Sequence, residues 1–379
     1  MTTIAPAEVS RLSRALPFWL SLTLVPIAIF GALNGGWTIL LLPLYAWGLF
    51  ALLDARTGKD PDNADPDTPE AALFWYKAVT LIWFPVQFCL LIWMLWYVPA
   101  AAHLNPLEKI GVFFGMGVVS GTVGINFSHE LMHRKSRFER WLADLLLASV
   151  LYSHFRSEHL RVHHLYIGTP RDPVSARYNE TFYHFFLRVL WQCPVSAWRA
   201  EAALSARKSR PTYHLSNPFW RYAALQGLMI ALALSLGGGV GLGLFAYQAA
   251  IAVWQLELAN YIEHYGLTRR HLGHGKYEHV LPRHSWNTDY KVSNWLLINL
   301  QRHSDHHYKP ARRFPLLQTY APNEAPQLPF GYPVMTLVAM FPPLWRRVMN
   351  KRVRAWRQTW YPDITDWKPY NKALNPLPR

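Results

Sequence analysis

The chain has 379 residues, 51% of them hydrophobic and only 16% charged, with a formal charge of +15. Soluble domains carry about 25% charged residues, so this composition excludes an ordinary soluble fold, although mean hydropathy is near zero. Two cysteines, Cys89 and Cys193, exclude a disulfide framework and any Cys-x-x-Cys metal site.

Apolar blocks of membrane length alternate with basic polar blocks. In chain order they predict six spanning helices near 15–34, 37–53, 74–98, 110–128, 219–240 and 242–261. At about 1.5 Å per residue, each crosses a hydrocarbon core of about 30 Å. The first is too long for a signal-peptide core and is read as retained. With the N-terminus cytoplasmic, the outer loops fall near 34–37, 99–109 and 237–243, and 37 of the 38 Lys and Arg lie inside, leaving Lys109 outside. The +15 charge is first a topology signal, with anionic headgroups and an acidic protein as further uses; nucleic acid is not needed. Between spans two and three lies an acidic loop, 54–70. Segment 333–348 reads as docked at the membrane surface, and the last 30 residues as a peripheral tail. The expected fold is therefore an all-α membrane protein, one integral domain over 1–379, with a cytoplasmic helical cap from 129–218 and 262–379.

Nine of the 17 histidines fall in four clusters on the predicted cytoplasmic side: His129 and His133; His159, His163 and His164; His264; and His303, His306 and His307. Residues four apart share a helix face, so His129 with His133, His159 with His163, and His303 with His306 or His307 can each grip one ion. Adjacent rings at 163/164 and 306/307 point about 100° apart and can face two ions. Nine imidazoles exceed one tetrahedral site and argue for two metals, with iron, copper and zinc all compatible. A zinc protease uses the H-E-x-x-H of 129–133 and one further ligand, leaving the other histidines without a role. Glu130, Glu158, Glu263 and Asp305 adjoin ligand positions as candidate orienting carboxylates, with Glu263 nearest to a catalytic role. His271, His274, His279 and His284 read as surface residues. A metal site beneath apolar spans suits an alkyl substrate arriving through lipid and selected by length, each buried methylene contributing about 0.8 kcal/mol.

The segments HELMH (129–133), EHLRVHH (158–164), TPRDPVSARYNETFY (169–183), NYIEHYGL (260–267) and LQRHSDHH (300–307) resemble the membrane histidine-box oxygenases, and more narrowly the alkane 1-monooxygenase family. The resemblance covers about 15–320. It implies a six-helix bundle, a non-haem di-iron centre held by the nine histidines, and terminal hydroxylation of medium or long alkanes with O2. It implies electrons from a separate rubredoxin and its reductase, since the chain has no Cys-x-x-Cys of its own. Arg302, Lys309, Arg312 and Arg313 are expected either to dock that donor or to stay solvated or lipid-facing, and Trp47 either to gate the substrate pocket or simply to pack or face lipid. A bacterial inner-membrane location with both termini cytoplasmic follows. The family commonly has Gly where this chain has Val162, and Lys where it has Arg134. Aromatic methyl hydroxylation and desaturation are the alternatives with the same centre.

Overall fold

The computed structural model describes residues 2–371. It is mostly helical, and five of its helices are long and apolar enough to cross a membrane: Leu12–Asn34, Gly36–Thr57, Glu70–Ala100, Pro106–Met132 and Pro218–His264. Six were expected. The difference lies in the last, where the fifth and sixth predicted spans run on as one 47-residue helix broken only at Gly238, whose φ of 59° and ψ of −154° are non-helical. A side chain added at Gly241 would meet the Ala233 carbonyl oxygen at 3.0 Å. Eight residues of straight helix rise about 12 Å, so the chain doubles back at this glycine, which tolerates the positive φ.

Hydrogen bonds assign the helix ends to two sides. On one, Glu108 closes a capping box with Asn105 and also accepts from the Gly36 backbone N–H at 2.8 Å. There too the Lys109 ammonium donates to the Pro99 carbonyl at 2.8 Å. On the other, Thr3–Ile4 pairs in parallel with Asn63–Ala64. Asp54 accepts from the backbone N–H groups of Val292 and Ser293, both at 2.9 Å, and Arg313 bridges Glu70 and Glu139. The acidic 54–70 loop is thus bound to the chain from 285 to 320, the part that carries the last histidine cluster.

The predicted tail is packed instead. Helix Pro342–Trp360 buries Trp345, Met349, Val353 and Trp356 in one cluster with Tyr261 and Tyr265, both of which Trp345 meets, so residues 350–360 belong to a core; of the tail, 372–379 lie outside the described residues. Segment 333–348 divides between Tyr332–Ala339, far too short to span, and the start of that helix.

Glycines set the contacts of the fourth span. A side chain at Gly117 would strike Ile251, and one at Gly121 would strike Gln255 and Ala252. Small residues four apart let two backbones approach, as they do between packed membrane helices. Gln255 uses that proximity, donating to the Gly117 carbonyl at 3.0 Å and accepting from Thr122 Oγ1 at 2.9 Å. Substituting Gly117→Leu should destabilise the folded protein by about 1–3 kcal/mol, the usual cost of overpacking. Thermal unfolding in detergent will show it as a lowered midpoint, whereas Gly227→Leu, where added atoms meet open space, should leave the midpoint in place.

Candidate metal centre

Four stretches of chain deliver the nine predicted histidines to one place. His129 and His133 end the fourth span, after a π-helical stretch, Ser120–Ile125. His264 is the last residue of the doubled-back helix. His303, His306 and His307 occupy the short helix His303–Tyr308. His159, His163 and His164 lie in and just after a second π-helical turn, His159–His163.

That π turn corrects one expectation. On an α-helix His159 and His163 would share a face. With hydrogen bonds spanning five residues rather than four, His159 aligns with His164 instead, and His163 turns to the other side. The ligand nitrogens form two groups, His129, His133, His159, His164 and His306 in one and His163, His264, His303 and His307 in the other, each group's atoms within 4.8 Å of one another. The neighbours 163/164 and 306/307 divide between the groups, and His303 joins His307 rather than His306.

Nε2 atoms converge in both. His159 Nε2 lies 2.9 Å from His129 Nε2, 3.2 Å from His133 Nε2 and 2.9 Å from His164 Nε2. His303 Nε2 lies 2.9 Å from His307 Nε2 and 3.2 Å from His264 Nε2. Burial first, and neighbouring imidazoles second, hold His133, His159, His164, His306 and His307 well below the ordinary histidine pKa, and His303 likewise. The rings are therefore neutral, the state in which they ligate. His163 Nε2 is buried without a hydrogen-bond partner, while its Nδ1 meets Asp172 Oδ2 at 2.9 Å. An inward nitrogen whose outer partner is a carboxylate is the arrangement of a metal-bound histidine, so the donor set fits metal ions.

Asp172 was not singled out from sequence. It sits nine residues after His163, within the 169–183 motif, and also accepts from Ser175 Oγ and the Val174 N–H. The four carboxylates that were singled out behave differently. Glu263 Oε2 lies 3.3 Å from His303 Nε2, and its Oε1 accepts from the Tyr332 hydroxyl at 2.9 Å. Glu130 pairs with Arg134 at 3.2 Å, which engages the residue a zinc protease needs as its base. Asp305 takes Arg312 and the Tyr320 hydroxyl. Glu158 is 1% exposed, with both carboxyl oxygens unpartnered among the described residues. His284, expected at the surface, is 1% exposed and bonded to Glu278 and Tyr361.

Three of the four cations expected to dock a donor are committed internally. Arg302 is buried and donates to the carbonyls of Asp60, Asp62 and Leu317. Arg312 pairs with Asp305, and Arg313 with Glu70 and Glu139. Guanidiniums held by internal carbonyls and carboxylates are not free for a partner, so of the four only the exposed Lys309 remains.

An apolar cavity of about 460 Å³ ends at these histidines. His129, His159, His303 and Glu263 line one end, and Trp47, Phe114, Trp254 and Met340 line its walls. Phe114 and His129 are 15 residues apart on the fourth span, about 22 Å of helix. Trp47, in the π-helical stretch Leu44–Leu49, meets Phe114 with ring centroids 6.0 Å apart.

A family model described as fatty acid desaturase matches residues 107–339, which contain all nine histidines. Alkane 1-monooxygenase 2 of Pseudomonas aeruginosa is 39% identical over 314 residues, covering 82% of each chain. Alkane 1-monooxygenase 2 of Alcanivorax borkumensis is 36% identical over 359 residues, 90% of each chain. The xylene/toluene monooxygenase hydroxylase component XylM of Pseudomonas putida is 32% identical over 256 residues, 67% of each. Histidine groups at the end of an apolar cavity, and likeness along most of the length, agree: the chain belongs to the alkane 1-monooxygenase family of membrane oxygenases.

Proposed function

We propose that this protein crosses the bacterial inner membrane six times, the doubled-back helix counting twice, with both termini and the histidine cap cytoplasmic. There it converts medium or long alkanes to primary alcohols with O2, two electrons and two protons, releasing water. The observation that carries this reading is the cavity: apolar along its walls, about as long as a helix of 15 residues, and closed at one end by imidazoles. A ligand without polar atoms can be placed there only by shape, and its terminal carbon is then what meets the metal end.

His129, His133, His159, His164 and His306 would hold one iron, and His163, His264, His303 and His307 the other. Iron bound there supplies O2 activation and oxygen transfer. Asp172 fixes the His163 ring so that Nε2 points inward. Glu263, held by Tyr332 with Oε2 beside the inward Nε2 of His303 at the cavity's end, is the carboxylate placed to accept or return a proton near the substrate carbon. The apolar walls keep water from the reacting carbon. Electrons come from a separate rubredoxin, reduced by its reductase. The relative XylM supports a second reading, hydroxylation of a methyl group on an aromatic ring; desaturation of an alkyl chain is a third with the same centre. Product identification after turnover of octane, hexadecane and xylene with rubredoxin and its reductase separates a primary alcohol from a benzylic alcohol or an alkene. Absence of any oxygenated product in air would overturn the proposal.

His307→Ala should lose metal from the four-histidine group and abolish hydroxylation, read by metal analysis and product formation on the same sample. Asp172→Asn should weaken metal retention about 10–100-fold, the range for removing an orienting carboxylate, measured as metal loss against a chelator. Trp47→Ala should open the cavity end remote from the histidines and raise the longest alkane accepted, seen by competing octane with longer chains.

A further inference from the structure

A second concavity, of about 700 Å³, lies between helix Phe182–Arg207 and the segment that carries His159, His163 and His164. Leu160 and Val162 form part of its floor, and Arg161, Arg171, Arg199 and Arg207 border it. Arg161 pairs with Glu201 at 2.6 Å; the other three make no ion pair among the described residues.

The helix that forms one wall is sorted along its axis. At its start, Phe182 and Phe186 pack on Trp254 with centroids 4.7 and 4.8 Å apart. Trp254 lies ten residues before His264, about 15 Å up a membrane-crossing leg. Next come Leu187 and Trp191, one turn apart and 70% and 75% exposed. Arg199 and Arg207 follow, the first about 12 Å beyond Trp191. Exposed apolar side chains beside a membrane leg, then unpaired guanidiniums, reproduce the order of acyl chain and phosphate in a phospholipid. An acidic protein would have to reach Leu187 and Trp191 beside the hydrocarbon, where a lipid already is. Arginine forks match phosphate oxygens, and interfacial tryptophan anchors at the headgroup level.

We propose that this groove is a binding site for an anionic phospholipid of the cytoplasmic leaflet, its phosphate held by Arg171, Arg199 and Arg207 and an acyl chain laid along Leu187 and Trp191. The site rests on the membrane orientation proposed above. The bound lipid backs the π turn that divides His163 from His159 and His164.

The test uses the full chain, purified in detergent and titrated with phosphatidylglycerol, phosphatidylcholine or inorganic phosphate, with bound lipid counted by native mass spectrometry. Phosphatidylglycerol should bind selectively, with phosphatidylcholine and inorganic phosphate far weaker. Arg199→Gln with Arg207→Gln should weaken it about thirtyfold, the effect of removing two interfacial cations, and Trp191→Ala should weaken it further. Arg346→Gln with Arg347→Gln removes the same charge elsewhere and should change little. Equal binding by the two double variants, equal binding of the two lipids, or tight inorganic phosphate at the groove would overturn the proposal. So would unchanged lipid binding with a raised KM for rubredoxin in the Arg199/Arg207 variant, which would give the groove to the protein donor. Octane turnover in phosphatidylcholine alone tests the hydroxylase reading separately: an inactive protein that still binds phosphatidylglycerol keeps the lipid site and loses the enzyme.

Discussion

Nine imidazoles gathered into two groups do not cohere by themselves. Buried polar atoms need partners, and here the inward nitrogens are paired chiefly with each other. What keeps them in place is the surrounding scaffold. Asp172 fixes one ring from outside, Tyr332 fixes the glutamate beside another, and the packed helix ends of the fourth span and the doubled-back helix set the depth at which His129 and His264 stand. Removing any of these frees a ring to rotate out of its group.

Two helical irregularities serve this arrangement. In the fourth span, the π stretch at 120–125 re-phases the helix just before His129 and brings Gly121 and Thr122 to the cavity wall, where Gln255 satisfies polar groups that lipid could not. The second, at 159–163, makes a five-residue repeat out of a four-residue one and so sorts adjacent histidines into separate groups. Without it, one segment could not divide three rings between two groups. Both turns lie where the cavity meets the histidines, as π-bulges at functional sites often do.

Much of this was legible in the sequence for physical reasons. Apolar length marks a membrane helix regardless of its neighbours. The histidine clusters stand out because their spacing is local. What stayed hidden depends on distant contacts or on backbone geometry that composition does not encode. The pairing of His159 with His164 needs the π turn. Arg302 reads as a surface cation until three carbonyls from the 54–70 loop and residue 317 surround it. Asp172 was visible only inside a motif, with no period to mark it. His284 resembles its exposed neighbours in sequence and is buried only because Glu278 and Tyr361 close over it. The reversal at Gly238 fell inside the predicted outer loop, though nothing local required hydrogen bonding to continue on both sides of it.

The clasp between the 54–70 loop and the chain near 285–320 has a bearing on biogenesis. Asp54 and the carbonyls of Asp60 and Asp62 are synthesised long before Val292, Ser293 and Arg302, the groups they bind. The loop must wait at the membrane surface, solvated by its own acidic side chains, while some 230 further residues leave the ribosome. His129 to His164 wait as well, as five rings that still lack His306 from one group and His264, His303 and His307 from the other. Closing so long a loop is entropically expensive, and the clasp repays that cost in a single docking event when the last cluster arrives. A chain that stops before residue 303 lacks His303, His306 and His307, so neither histidine group is complete.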